Sequence, residues 1–217
     1  MAVYSNAGYR VISRANALIL PNSYRHAAHV MLHSPCGKDK KLFGYYPVHH
    51  AVMLQLRFDG TLGFPGGFIE DGESIENGLK RELSEELGPT AGGINFTESD
   101  LVISQVCPEK PVCLHFYCKN IEVDVLQTIE KEVLDSPQYG LETLGFVRCP
   151  LYTMRDNHGG LPSFLANNFI GNAREQLLKG LKHEGLLSTD EIDEAVLLYK
   201  HIKNEMNCGV SKPYTRY

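Results

Sequence analysis

Apolar residues recur at every fourth position at Ile75, Leu79, Leu83 and Leu87, which predicts an amphipathic helix with one buried stripe. Ser74 stands ahead of it as an N-cap and Gly88 behind it as a left-handed stop. Elsewhere the apolar pattern comes in short runs that predict strands at His26 to His33, Val48 to Phe58, Leu101–Val106, Val112–Tyr117 and Thr143–Val147. Ser34-Pro35-Cys36-Gly37 closes the first run and leads into a lysine-rich loop at Lys38, Lys40 and Lys41. Asp59-Gly60 marks a hairpin turn after the second, and Pro65-Gly66-Gly67 interrupts the ladder between Thr61 and Phe68. Further helices are predicted over Val123–Leu134, Ala173 to Lys182, and from Ser188 to about Met206, where Ser188 and Glu191 make a capping box. Residues 1–22 show no periodicity and read as a partly ordered lead-in. Mixed strands with helices before and after them, and no internal repeat, predict an α/β fold: a layered α/β/α sandwich on a mixed central sheet.

Composition changes this picture little but narrows the chemistry. At 217 residues and 43% hydrophobic, the chain suits one α/β domain with a sizeable core. No apolar stretch approaches the ~18 residues of a membrane span, and Met1 to Arg14 lacks the apolar region of a secretory signal. The six cysteines show no CxxC pair and no zinc-ligand spacing, so they read as reduced thiols, mostly small buried hydrophobes, of a cytosolic or nuclear protein. A formal charge of −5 argues against a broad footprint for duplex nucleic acid, while leaving room for a local basic strip that guides single-stranded RNA.

The chemistry concentrates between Gly67 and Gly88, in GFIEDGESIENGLKRELSEELG. Glu82, Glu85 and Glu86 are three and four residues apart, so their carboxylates occupy adjoining helix positions. They gather in the C-terminal half, where the macrodipole disfavours each anion by ~0.3–1 kcal/mol. Such a cluster either forms a solvated face or awaits a cation, and hard oxygen donors select Mg²⁺ or Mn²⁺ over zinc. Gly78 lies inside the helix at a cost of ~1 kcal/mol relative to alanine, which points to close packing there. Gly66 and Gly67 let the backbone approach closely, and the Gly66 carbonyl is a further candidate metal ligand. Divalent ions at such a site would neutralise a pyrophosphate and acidify a bound water, and a nearby carboxylate would take the proton. Glu85 and Glu142, the latter just ahead of a predicted strand, are both candidates for that base.

The spacing Gly67, Glu73, Arg81-Glu82-Leu83, Glu85-Glu86, Gly88 resembles the Nudix box, with Pro89 as its one departure, where the pattern prefers a bulky aliphatic residue. The resemblance implies a metal-dependent phosphoanhydride hydrolase, using Mg²⁺ or Mn²⁺ with Co²⁺ as a further option. It also implies a structural pairing of Arg81 with Glu73. Outside the box, YRHAAHVMLHSP, LQLRFDGTLGFPGGF, LHFY, PLYTMRD, GGLP and NFIGNAREQLL are similar to the small-RNA-decapping and inosine-diphosphatase branch of the Nudix hydrolases. That likeness covers residues 23–188 as a Nudix domain, leaving 1–22 as lead-in and 189–217 as a C-terminal helix and tail.

Membership of this branch implies two substrate classes, methylguanosine-capped RNA (small nucleolar and messenger) and nucleoside diphosphates, with (deoxy)inosine diphosphate cut to the monophosphate. By position it assigns His29, Arg57, Phe64 and Gln176 to nucleotide contacts: an aromatic to stack, an amide to read a purine edge and a cation for phosphate. Each has a plainer reading, as core histidine, core aromatic or solvated helix residue. At Gln105 the related enzymes carry a histidine near the metal site. The resemblance further implies a homodimer, located in nucleus (nucleolus, nucleoplasm) and cytoplasm. Two other functions fit the scaffold, an RNA- or protein-binding module with weak catalysis and a hydrolase of ADP-ribose-type metabolites. The three glutamates, all present, favour an enzyme.

Overall fold

The protein is described by a computed structural model over residues 8–37, 39–107 and 109–208. Residues 1–7 of the expected lead-in, Lys38 of the lysine-rich loop and residues 209–217 of the tail lie outside the described residues. The strands are β1 (Arg10–Ile12), β2 (Arg25–Pro35), β3 (Lys41–Leu42), β4 (Tyr46–Pro47), β5 (His50–Arg57), β6 (Leu62–Gly63), β7 (Gly66–Phe68), β8 (Leu101–Cys107), β9 (Val112–Asn120) and β10 (Thr143–Arg148). The helices are α1 (Arg14–Leu18), α2 (Ile75–Leu87), α3 (Pro89–Gly92), α4 (Val123–Glu132), α5 (Leu161–Leu165), α6 (Ala173–His183) and α7 (Thr189–Asn207).

One mixed sheet runs β1-β8-β9-β2-β5-β10, with β6 beside β5 and β7 beside β2, while β3 and β4 form a separate hairpin. Among the strands of the described residues, β2 and β9 make the one parallel pair, from Arg25 opposite Val112 to His33 opposite Asn120. On its other side β2 changes partner along its length. Ala27 to His29 pair with β7, and His33 to Pro35 pair with β5. Strand alternation then sends successive β2 side chains into two cores. Ala28, Val30 and Leu32 pack with Leu79, Leu83, Leu126 and Ile129 of α2 and α4. Met31 packs with Leu177, Leu181, Ile192 and Val196 of α6 and α7. The result is the expected α/β/α sandwich.

The α2 stripe of Ile75, Leu79, Leu83 and Leu87 is buried throughout. Ser74 Oγ accepts the Asn77 N–H, and a positive φ of 99° at Gly88 ends the helix. Pro89 does not blur that exit: it opens α3 at the first helical position, where a missing N–H costs nothing. A Cβ on Gly78 would stand 2.7 Å from Ile69 Cδ1 and 2.8 Å from Glu73 Oε2, so the helix packs tightly against the preceding loop there.

One segment departs from the sequence reading. Within the lead-in, β1 pairs with β8 and α1 follows a Ser13 cap. Elements of three and five residues are too short to show a period. In the C-terminal segment the expected helix is α7, and its Ile192, Ala195 and Val196 belong to the same core as the residues before 189. All six cysteines carry free thiols. Among the described residues no helix is long and apolar enough to cross a membrane.

Candidate active site

Where β2 leaves β7 for β5, the sheet opens into a cavity of about 520 Å³, within the range of small-molecule sites. Much of the cavity is acidic. Glu70, Glu82, Glu85, Glu86 and Glu142 line it against two guanidinium groups, those of Arg57 and Arg81. Three of these acids come from the same helical face. Glu142 arrives from the opposite side, placed by the bond from the Phe58 N–H to its carbonyl at 3.0 Å, which fastens the start of β10 to the end of β5.

Glu86 is the most confined. It is 3% exposed, and its carboxylate accepts from the Gly66 N–H at 2.8 Å and from Gln55 Nε2 at 3.1 Å. Burial outweighs those two bonds and pushes its carboxyl up to about 7. Glu82 is also raised, by burial first, with Arg81 opposing and the Glu85 and Glu142 charges adding. Charges held in this way are under-compensated by the protein. Oxygen donors converging on a cavity with surplus negative charge fit a divalent cation, and Glu82, Glu85 and Glu86 are the side chains positioned to hold one.

Arg81 does more than pin the loop. Its Nε and Nη2 donate to the Glu73 carboxylate at 3.0 and 3.2 Å, and Nη2 also donates to the Phe68 carbonyl at 2.9 Å. Nη1 meanwhile donates to Glu82 Oε1 at 3.0 Å and reaches Glu85 Oε1 at 3.5 Å. Hydrogen bonding to Arg81 holds the Glu73 carboxyl below its ordinary value. The Arg81 and Glu73 side chains are 26% and 22% exposed, so solvent screens the pair and the large penalty of a buried ion pair does not apply. Arg81→Ala is expected to cost on the order of 1 kcal/mol in stability. Turnover should fall further, ~10²-fold, because Glu82 and Glu85 lose their common anchor. Melting temperature and kcat on one preparation check this; normal kcat would remove Arg81 from the site.

The same cavity is lined by His29, Arg57, Phe64 and Gln176. Burial, with Arg57 nearby, pushes the His29 imidazole down to about 4, so it is neutral at pH 7 and able both to donate and to accept. Gln176 is 3% exposed and its Nε2 has no hydrogen-bond partner. Phe64 departs from its expected stacking role. It is 2% exposed and packs on Phe116 with ring centroids 4.9 Å apart, so it forms a wall instead of offering a free face. Gln105 does not line the cavity; it accepts from Asn172 Nδ2 at 2.7 Å and so supports that residue from behind.

Tyr9, Gln138 and Asn172 also line the cavity and were missed from sequence. Gln138 Nε2 lies 3.5 Å from Glu85 Oε2, and its buried Oε1 has no partner. All three come from connecting segments without periodicity. The only available signal was Gly171-Asn172 at the start of the predicted helix at Ala173.

A family model described as Nudt16-like, U8 snoRNA-decapping enzyme-like, matches residues 26–187. The U8 snoRNA-decapping enzyme of Xenopus laevis is 46% identical over 86% of this chain and 88% of its own. The Tudor-interacting repair regulator protein of Homo sapiens is 39% identical over 85% and 86%. A MutT/nudix family protein from Enterococcus faecalis superimposes with a TM-score of 0.49 at 14% identity, covering 95% of this chain and 90% of that one. With its acidic helix, its glycine loop and a family match across both core faces, the chain belongs to the Nudt16-like, U8 snoRNA-decapping enzyme-like family of Nudix hydrolases.

Proposed function

We propose that this hydrolase removes the methylguanosine cap from small nucleolar and messenger RNA and also cleaves (deoxy)inosine diphosphate to the monophosphate and phosphate. The observation that carries this reading is one cavity lined both by five carboxylates and by a neutral histidine and a buried glutamine whose Nε2 has no partner. A purine with polar edges suits the histidine and the glutamine, and a phosphoanhydride suits the carboxylates once they hold a cation. The Xenopus relative's name supports RNA decapping. The binding-module alternative would leave the buried charge of Glu86 without purpose.

In this reading Glu82, Glu85 and Glu86, with the Gly66 carbonyl, hold Mg²⁺ or Mn²⁺. When bound, such ions supply charge neutralisation on the diphosphate and acidify water. The chain's own residues do the rest. Glu142 or Glu85 accepts the proton of the attacking water, Arg81 keeps the glutamates in register, and Arg57 faces substrate phosphate. The water oxygen bonds to phosphorus as the bridging oxygen leaves, and nucleotide and phosphate (or trimmed RNA) depart. The resemblance in sequence extends the reading to a homodimer acting in nucleolus, nucleoplasm and cytoplasm.

Base recognition separates from chemistry, which supplies a test. His29→Ala or Gln176→Ala is expected to lower kcat/KM for inosine diphosphate by one to two orders of magnitude, from ~1–3 kcal/mol of lost hydrogen bonding. Adenosine and cytidine diphosphates should fall less. Equal losses on all three would mean that these residues support the fold or the acidic cluster, and the base pocket would be wrong.

A further inference from the structure

Behind the cavity wall, the parallel pairing of β2 and β9 sets His26 opposite Cys113 and Ala28 opposite His115. Ala27, His29 and Leu114 face the cavity, and alternation turns His26, Cys113 and His115 to the opposite side of the sheet. There one ligand atom from each lies within 4.8 Å of the other two, and both Cys113 and His115 are fully buried. His26 Nδ1 and His115 Nε2 are 3.0 Å apart across nearly parallel rings, at an interplanar angle of 10°. Ser104 Oγ holds the far nitrogen of His115, Nδ1, at 2.9 Å. None of the three belongs to the acidic cavity.

We propose that His26, Cys113 and His115 form a second metal site, for a thiophilic divalent ion of the zinc type. Two imidazoles and a thiolate are a borderline-soft donor set, unlike the all-oxygen cluster on α2, so the two sites sort their ions by chemistry. The histidines are ready as ligands: burial holds both below the ordinary imidazole range, His115 at about 3. The Ser104 contact is the outer bond that fixes the orientation of a metal-ligating histidine. Tetrahedral coordination at ~2.05 Å per nitrogen sets the two nitrogens roughly 3.3 Å apart, a small opening from the present hydrogen bond. On binding, the proton shared between the rings moves to the outer nitrogen of His26 by exchange with solvent. Cys113 releases its proton to water as the metal–sulfur bond forms, and the fourth position is left to water.

Burial pushes the Cys113 thiol up to about 11, so the thiolate forms only as the metal binds, and the nearby charges are otherwise engaged. Arg14, the cation felt by His115, is engaged by Glu76 at 2.7 Å and by the Tyr117 hydroxyl at 2.9 Å, and the thiolate offsets half of the ion's charge. The His26 carbonyl accepts the Ile69 N–H at 2.9 Å, which ties the site to the segment between Gly67 and α2.

Co²⁺ titration of the full chain tests the proposal, because thiolate ligation gives a near-ultraviolet charge-transfer band and four-coordination gives intense visible bands. One equivalent should produce both, one equivalent of Zn²⁺ should abolish them, and excess Mg²⁺ should not. Cys113→Ser, checked for an unchanged melting profile, should lose the charge-transfer band, and His26→Gln should weaken binding ~10-fold or more. X-ray absorption of the zinc-loaded chain should show a sulfur neighbour at ~2.3 Å that Cys113→Ser lacks. A weak six-coordinate spectrum displaced by Mg²⁺, or a charge-transfer band that survives Cys113→Ser, would overturn the site.

Discussion

Glu86→Gln is expected to lower hydrolysis by ~10³-fold or more while leaving a folded chain that, without metal, is more stable than the parent above neutral pH. The loss of activity follows from removing one negative charge from the acidic cluster, where Glu86 is the most buried carboxylate. The gain in stability follows from linkage. Burial raises the Glu86 carboxyl to about 7, so between its unfolded value near 4.5 and about 7 the folded chain binds more protons than the unfolded one. Its contribution is therefore fully present below about 4.5 and is lost as pH rises through about 7, an effect on the order of 3 kcal/mol. Glutamine does not ionise and escapes that loss. It can also be accommodated: Gln55 Oε1 is a buried acceptor without a partner, so a flip of that amide lets it accept from the new side chain. Melting in EDTA at pH 5 and pH 8 reads the effect, and a parent chain as stable as the variant at pH 8 would contradict the buried charge.

The two glycines ahead of α2 are expected to separate folding from catalysis. Gly66 adopts a φ of +125°, and a Cβ there would run into the Ala28 carbonyl of the β2–β7 ladder. Gly66→Ala therefore meets backbone that cannot yield, and should cost on the order of 3 kcal/mol. At Gly67 the added Cβ would meet the Glu82 carboxylate, the mobile end of a side chain. Gly67→Ala should fold with a melting temperature near that of the parent, yet lose ~10²-fold in kcat because Glu82 is displaced. If Gly67→Ala keeps parental turnover, Glu82 is not required where the structure places it.

What could be read from sequence follows from length and period. β2, β5, β8, β9 and α2 are long enough to repeat their pattern several times, and the acidic cluster is legible because helical spacing alone brings Glu82, Glu85 and Glu86 to one face. β6 and β7 have two and three residues, so the partner change of β2 that opens the cavity leaves no periodic trace. The walls supplied by Tyr9, Gln138 and Asn172 are set by tertiary placement of connecting segments. Burial decides the remaining differences. Phe64 is a wall because Phe116 covers its face, and Arg81 is screened because the loop it holds lies at the surface. Neither property can be read from residue type.

The most direct measurement is the fate of methylguanosine-capped RNA incubated with the full chain, with cap products and RNA 5′ ends analysed together. The expected result is release of a methylguanosine phosphate and an RNA that keeps a 5′-phosphate, in Mg²⁺ or Mn²⁺, stopped by EDTA and by Glu86→Gln. A cap left intact by the folded chain with either ion, or one released equally in EDTA and by Glu86→Gln, would contradict it.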